Sequence, residues 1–201
     1  MEYAFMLTFS IAAAAFLFIF AGCGGGAGSY LERAELVTMK GNALTIQGPD
    51  VPVGQPAPDF RVVDGGFAPV QLSDFKGKAV LISAVPSLDT GVCAVQTKRF
   101  NEEIAKLPDD VVVISLSTDL PFAQGRFCEA EKVGSIKVLS DSVHRDFAYK
   151  YGVMIKDMGL LTRSIFVIGK DSTLLYKEIV PELTDHPNYD QALAEIRKAA
   201  E

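Results

Sequence analysis

The sequence predicts a layered α/β domain on a mixed β-sheet, with a β-hairpin ahead of it. Three observations carry that prediction. Residues 79–85 and 111–116 are apolar runs of strand length, each broken only by one serine, Ser83 or Ser115, as strands buried on both faces allow. Segments with helical spacing follow each run, so strands and helices alternate. Residues 164–168 and 174–179 flank Gly169-Lys170-Asp171 and read as an antiparallel pair, which a purely parallel sheet lacks.

The elements follow in order. Residues 36–40 and 43–46 are β-prone runs around Gly41-Asn42, a hairpin signal. Pro49, Pro52, Pro56 and Pro58 then keep the chain extended. Residues 60–63 and 70–72 read as short strands, and 79–85 as the central one. The spacing predicts a helix over 91–107 with Val92, Val95, Phe100, Ile104 and Leu107 on its inner side. Residues 111–116 form the next strand, and 121–133 a helix with Pro121 in its first turn. A strand at 136–139, a short helix at 143–151, the antiparallel pair and a closing helix at 189–200 complete the chain. Thioredoxin-like folds have this order, whereas flavodoxin-like folds lack the late hairpin.

Ahead of the domain, residues 4–22 form a nearly unbroken apolar run of 19, between the length of a signal peptide's apolar region and that of a membrane span. The run ends in Phe20-Ala21-Gly22-Cys23, which resembles a bacterial lipoprotein cleavage box. In that reading Cys23 is the lipidated first residue, and the Gly-rich stretch after it is a tether. Met1-Glu2-Tyr3 carries no Lys or Arg, where secretory signals normally have one. An uncleaved membrane anchor and a mis-assigned start therefore stay open; Met39 is a poor alternative start, because it would cut into the first strand. The expected division is a signal or anchor segment with its linker over 1–34 and a domain over 35–201. The expected location is the bacterial envelope, tethered through residues 1–23, or the cytoplasm if the start is mis-assigned.

Composition narrows the function. A chain of 201 residues with net charge −6 lacks the basic surplus that phosphate-backbone binding needs, so nucleic acid is not an expected partner. Three cysteines, Cys23, Cys93 and Cys128, are an odd count that argues against a disulfide scaffold. The two histidines, His144 and His186, have no Cys or His at metal-ligand spacing and read as surface residues, so neither a zinc site nor a Cys-His or Ser-His-Asp hydrolase is expected. No cofactor is expected.

The chemistry points to Pro86-Ser87-Leu88-Asp89-Thr90-Gly91-Val92-Cys93, between the central strand and the next helix. This places the Cys93 thiol in the first turn of a helix, where unpaired N–H groups and the positive dipole end favour thiolate. An ordinary thiol, with pKa about 8.5, is only a few per cent ionised at pH 7. Thr90 lies one turn before Cys93, so its hydroxyl can bond the sulfur or an oxygen beside it, and Pro86 can shield the pocket and fix the loop. A buried structural cysteine is the competing reading. Cys-x-x-Cys is absent, since Thr90 and Gln96 occupy the positions three before and three after Cys93, which argues against a disulfide oxidoreductase.

Pro-x-x-x-Thr-x-x-Cys at this place resembles the peroxiredoxins. The stretches Ser87-Leu88-Asp89-Thr90-Gly91-Val92-Cys93 and Asp119-Leu120-Pro121-Phe122-Ala123-Gln124-Gly125-Arg126-Phe127-Cys128 resemble the thiol peroxidase family of atypical two-cysteine peroxiredoxins over residues 35–200. That family has an N-terminal hairpin before a thioredoxin-like fold, and its members usually lack residues 1–30. The resemblance implies an antioxidant peroxidase in which Cys93 attacks hydrogen peroxide or an organic hydroperoxide. Cys128 then resolves the sulfenic acid as an intramolecular Cys93–Cys128 disulfide, and a thioredoxin-like partner reduces it. It also implies a homodimer, a peroxide-positioning role for Thr90 and an essential arginine at Arg163. By pattern alone Arg163 reads as a solvated strand-end charge, and Cys128 can be read as a packing residue. Two helices flanking a sheet rarely bring thiols within the Cα separation of about 7 Å that a disulfide needs, so resolution is expected to require local unwinding.

Overall fold

The computed structural model describes Met1 and residues 30–201. A hairpin of β1 (Glu32–Met39) and β2 (Asn42–Gln47) opens the fold. Then come β3 (Arg61–Val63), β4 (Pro69–Gln71), β5 (Ala79–Ala84), α1 (Gly91–Glu103), β6 (Val111–Ser117), α2 (Pro121–Glu131), β7 (Lys137–Ser140) and α3 (Asp146–Lys150). The chain closes with β8 (Met154–Ile155), β9 (Ser164–Ile168), β10 (Leu174–Ile179) and α4 (Tyr189–Ala200). The main sheet has seven strands in the order β10-β9-β5-β6-β7-β3-β4, and β1, β2 and β8 form a separate sheet of three. Strand β5 pairs parallel with β6 and antiparallel with β9, and β6 pairs parallel with β7, so the sheet is mixed. This is the thioredoxin-like architecture that the order of elements predicts.

The apolar runs are buried on both faces because helices cover one face, while α3 and an aromatic group cover the other. Ala79, Leu81, Val111, Val113, Ile165 and Val167 pack with Phe100 of α1, Phe127 and Cys128 of α2, and Leu193 and Ile196 of α4. Their alternates Val80, Ile82, Ile114 and Phe166 face Phe60, Phe147 and Tyr151. A period of two with both sides apolar is how a central strand hides its pattern in a nearly continuous run.

Several bounds differ from the sequence prediction. Strand β1 begins at Glu32, inside the polar stretch that reads as linker, because pairing of Glu32 with Gln47 and Arg33 with Ile46 resumes across a bulge before Val37. Glu35 in that bulge has φ 64°, so the side-chain alternation is broken and the strand leaves no period in the sequence. Helix α3 starts only at Asp146, after Arg145 adopts φ 51°. Helix α1 gives way to a short 3-10 turn over Ile104–Lys106. Strand β8, two residues long, pairs with β2 and had no sequence signal.

The larger correction concerns the inner face of α1. Phe100 is buried as predicted, but Val95 is 52% exposed and the polar Gln96 and Thr97 are fully buried. Burial of polar side chains is tolerated where their hydrogen bonds are met. Thr97 is bonded to Ser115 at 3.0 Å and Gln96 to Ser83 at 2.7 Å, both in the sheet beneath.

Candidate active site

Cys93 lies in the first turn of α1, whose N-cap is Thr90 in extended conformation (φ −108°, ψ 145°). The first helical bond is donated by Ala94 N–H to the Thr90 carbonyl at 2.9 Å, so the N–H groups of Gly91, Val92 and Cys93 have no carbonyl one turn behind them within the helix. The thiol is 0% exposed and packs with Val85 and Leu88, against Phe127 and Val138.

Arg163, immediately before β9, is only 2% exposed, so it is not the solvated strand-end charge that the bare pattern allows. Its Nη2 donates to Cys93 Sγ at 3.4 Å and to the Leu183 carbonyl at 3.0 Å. Its Nε donates to the same carbonyl at 3.1 Å, and Nη1 donates to Gln96 Oε1 at 2.6 Å. None of these partners is a carboxylate. A guanidinium buried without a carboxylate is costly, and an anion beside it would offset that cost.

Two supports hold the guanidinium. Gln96, one turn beyond Cys93, accepts from Arg163 while its Nε2 donates to Ser83 Oγ. Sequence reading missed Gln96, since a polar residue among apolar ones reads as outward-facing. The only available signal was its spacing of one helical turn from the cysteine. The second support is the loop carrying Leu183. Leu183 N–H donates to the Thr38 carbonyl at 2.8 Å, and Thr38 N–H donates to the Pro181 carbonyl at 2.7 Å. Glu182 accepts from Thr38 Oγ1 at 2.8 Å, Lys40 N–H at 2.9 Å and Gly41 N–H at 3.1 Å, and from both donors of Thr184. Hydrogen bonds from Thr184, Lys40, Thr38 and Gly41 hold the Glu182 carboxyl well below the usual range. The hairpin is thus clamped to the loop that fixes Arg163.

An apolar depression of about 300 Å³ opens at this point. Its lining includes Met39, Pro86, Val92, Met158 and Leu183, with Thr90 and Arg163 as polar members. Pro86 is buried and has no N–H, so it closes the wall without an unpaired donor. Thr90 is exposed at the rim, and its Oγ1 donates to the Ser87 carbonyl at 3.0 Å rather than to the sulfur. A wider depression of about 740 Å³ by Tyr30, Asp59, Arg145 and Tyr149 contains none of these residues.

Cys128 stands apart. It lies in the last turn of α2, half-buried, and packs with the α4-side cluster rather than the one around Cys93. Burial pushes its thiol up. Both cysteines are free thiols, and Phe127 packs against the cluster that holds Cys93. The carbonyl of Cys128 accepts from Lys132 and Val133 N–H, where Lys132 at φ 55° ends the helix. The structure therefore brings together Pro86, Thr90, Cys93 and Arg163, and leaves Cys128 on a neighbouring helix end; Cys23 lies outside the described residues. His144 and His186 are exposed.

The chain is similar to known proteins over most of its length. The family model described as Redoxin matches residues 52–193. A thiol peroxidase of Bacillus subtilis (strain 168) is 46% identical over 157 residues, covering 78% of this chain and 93% of the relative. One from Halalkalibacterium halodurans is 49% identical over 166 residues, covering 82% of this chain and 98% of the relative. Among solved structures, a peroxiredoxin-like protein from Aquifex aeolicus superposes with TM-score 0.77 at 39% identity, over 85% of this chain and 99% of that one. A thiol peroxidase from Chromobacterium violaceum, 21% identical with TM-score 0.71 over 82% of this chain and 97% of that one, shares the fold.

Proposed function

This chain belongs to the redoxin family and is a thiol peroxidase of the peroxiredoxin type, and from that premise we propose a two-cysteine cycle for it. The observation that carries the proposal is the Arg163 guanidinium, buried without a carboxylate and 3.4 Å from Cys93 Sγ, at the floor of an apolar pocket. The Cys93 thiolate attacks the terminal oxygen of a hydroperoxide. An S–O bond forms, the O–O bond breaks, and the departing oxygen takes a proton and leaves as alcohol, or as water when the substrate is hydrogen peroxide. Arg163 balances the charge on sulfur and then the charge developing on the departing oxygen. Thr90, whose own proton is directed to Ser87, offers an oxygen that accepts the O–H of the peroxide. Pro86 keeps water from the pocket wall. The apolar lining admits organic hydroperoxides alongside hydrogen peroxide.

Cys128 then attacks the Cys93 sulfenic sulfur, forming the S–S bond and releasing water. A thioredoxin-like dithiol takes up the disulfide by exchange and leaves oxidised, restoring both thiols. The two cysteines sit in separate packing clusters, which supports resolution through local unwinding of the α1 start and the α2 end. The same reading includes a homodimer, supported by the exposed Leu120 and Phe122 at the start of α2, with sedimentation as its test. It also includes a mature chain that begins at lipid-anchored Cys23, with the Gly-rich stretch after it as the tether to the domain. A membrane fraction yielding a mature chain that starts at lipidated Cys23 supports that tether, and a chain recovered still starting at Met1 refutes it. Among the described residues no helix is long and apolar enough to cross a membrane.

The cycle is tested by peroxide consumption with thioredoxin and its reductase as electron supply. Cys93→Ser is expected to fold and to lose turnover; substantial residual turnover in that variant overturns the assignment.

A further inference from the structure

Asp119 lies in the connection from β6 to α2, between the two cysteine-bearing segments, and the cycle above gives it no task. Its Oδ1 accepts from Ser87 Oγ at 2.8 Å. Its Oδ2 accepts from Leu88 N–H at 2.7 Å and from Ser117 Oγ at 2.8 Å. Its carbonyl accepts from Ser140 Oγ at 2.5 Å, which ties the start of α2 to the end of β7. The half-buried carboxylate has no basic partner among the described residues and is met by these three donors. Two of the three belong to the loop that leads into α1.

That loop carries the order onward. The Ser87 carbonyl accepts both Thr90 N–H at 3.1 Å and Thr90 Oγ1 at 3.0 Å, so Ser87 joins Asp119 to the N-cap of the helix that presents Cys93. Leu88 packs in the same cluster as Cys93, with Phe127 of α2 against it. With the Asp119 bonds closed, Cys93 is buried under Leu88 and Phe127 beside Arg163, the arrangement that attack on peroxide requires. Cys128, by contrast, packs with another cluster. On the two-cysteine reading the segments that carry the two thiols must rearrange, and the bonds that Asp119 makes join the Cys93 loop to the start of α2.

We propose that Asp119 is a positioning residue that latches the Cys93 loop to α2 and thereby sets the partition between peroxide attack and disulfide formation. The proposal rests on the two-cysteine reading. Interactions made only in the closed arrangement hold down the population of the open one, so weakening them raises that population in proportion. Removing one hydrogen bond of this kind corresponds to about fivefold in such an equilibrium.

The test is single-turnover oxidation of the full-length protein with one equivalent of hydrogen peroxide, quenched by alkylation and read by mass spectrometry. It follows Cys93 sulfenic acid and the Cys93–Cys128 disulfide separately in wild type, Asp119→Asn and Ser87→Ala. Both variants are expected to oxidise Cys93 more slowly, to convert sulfenic acid to disulfide about fivefold faster or more, and to need more peroxide to reach sulfinic acid. Hydrogen exchange is expected to quicken at residues 86–92 and 117–124. A merely structural role would slow both steps together. Ser87→Ala keeps the carbonyl that caps α1, so it decides the matter if Asp119→Asn does not fold. Disulfide formation at or below the wild-type rate in the folded variants overturns the latch alone. Failure of wild type to form the Cys93–Cys128 disulfide overturns the two-cysteine reading and the latch with it.

Discussion

Arg163 illustrates how one side chain can be costly to bury and still join several parts of a candidate site. Its fork makes four donations at once, to the sulfur, to Gln96 and twice to the Leu183 carbonyl. A lysine has a single ammonium that cannot reproduce that planar set. Arg163→Ala is therefore expected to slow sulfenic acid formation at Cys93 by at least about tenfold, roughly 1.4 kcal/mol in barrier. Stopped mixing with peroxide and mass readout checks it, and an oxidation rate like that of wild type would remove Arg163 from the mechanism. Thr90→Val keeps the volume and removes the hydroxyl, and a similar loss is expected in the same assay. At this scale much was legible in the chain. The spacing of Pro86, Thr90 and Cys93 was on view, and a helix start after a buried strand gives that spacing a chemical sense. Arg163 was visible only through family resemblance, because nothing in Thr162-Arg163-Ser164 tells a buried charge from an exposed one. Gln96 was missed because polar residues are read as facing water unless a buried partner is known, and its partner is 67 residues away in the chain.

At the scale of elements, the β1–β2 hairpin reaches the site through Glu182. The carboxylate collects donors from Thr38, Lys40, Gly41 and Thr184, and the residue after it offers its carbonyl to Arg163. These bonds favour the ionised form, so its folded pKa lies below the ordinary 4.5. Its stabilising contribution is present above that ordinary value and is lost as pH falls from 4.5 through the folded pKa. The stability gap between wild type and Glu182→Gln is therefore expected to be largest near neutrality and to shrink as the pH drops below 4.5. Denaturant titrations across that range test this, and a gap independent of pH would detach Glu182 from the clamp. Most elements were readable from periodicity and turn residues, with bounds within a few residues. The exceptions have local causes. Strand β1 lost its period at the Glu35 bulge, and β8 is two residues whose pairing with β2 is wholly long-range. No side-chain pattern announces either.

At the scale of the whole molecule, the fold separates the two thiols that the proposed cycle joins. It buries Cys93 beside Arg163, and it puts Cys128 in the last turn of α2, where Lys132 has already left the helix. A helix end opens at less cost than a helix middle. Oxidation is accordingly expected to quicken hydrogen exchange around residues 91–95 and 121–131 and to leave the strands of the main sheet protected. Cys128→Ser should still reduce one equivalent of peroxide and then stall with thioredoxin, accumulating sulfinic acid at Cys93. Turnover of Cys128→Ser at the wild-type rate would make Cys128 a packing residue of the α4-side cluster and nothing more. The sequence showed both cysteines and the fold between them; it did not show that Phe127, and not Cys128, packs beside Cys93, because that depends on how α2 is rotated on the sheet.

The central claim is that Cys93 is oxidised by peroxide and resolved by Cys128 of the same chain. The measurement that addresses it most directly is intact mass with non-reducing peptide mapping of the full-length protein after one equivalent of peroxide. A monomer-mass species with its Cys93 and Cys128 peptides linked is expected. Linked peptides found only in a dimer-mass species, a link from Cys93 to Cys23, or Cys93 carried to sulfinic acid with Cys128 still a free thiol would contradict it.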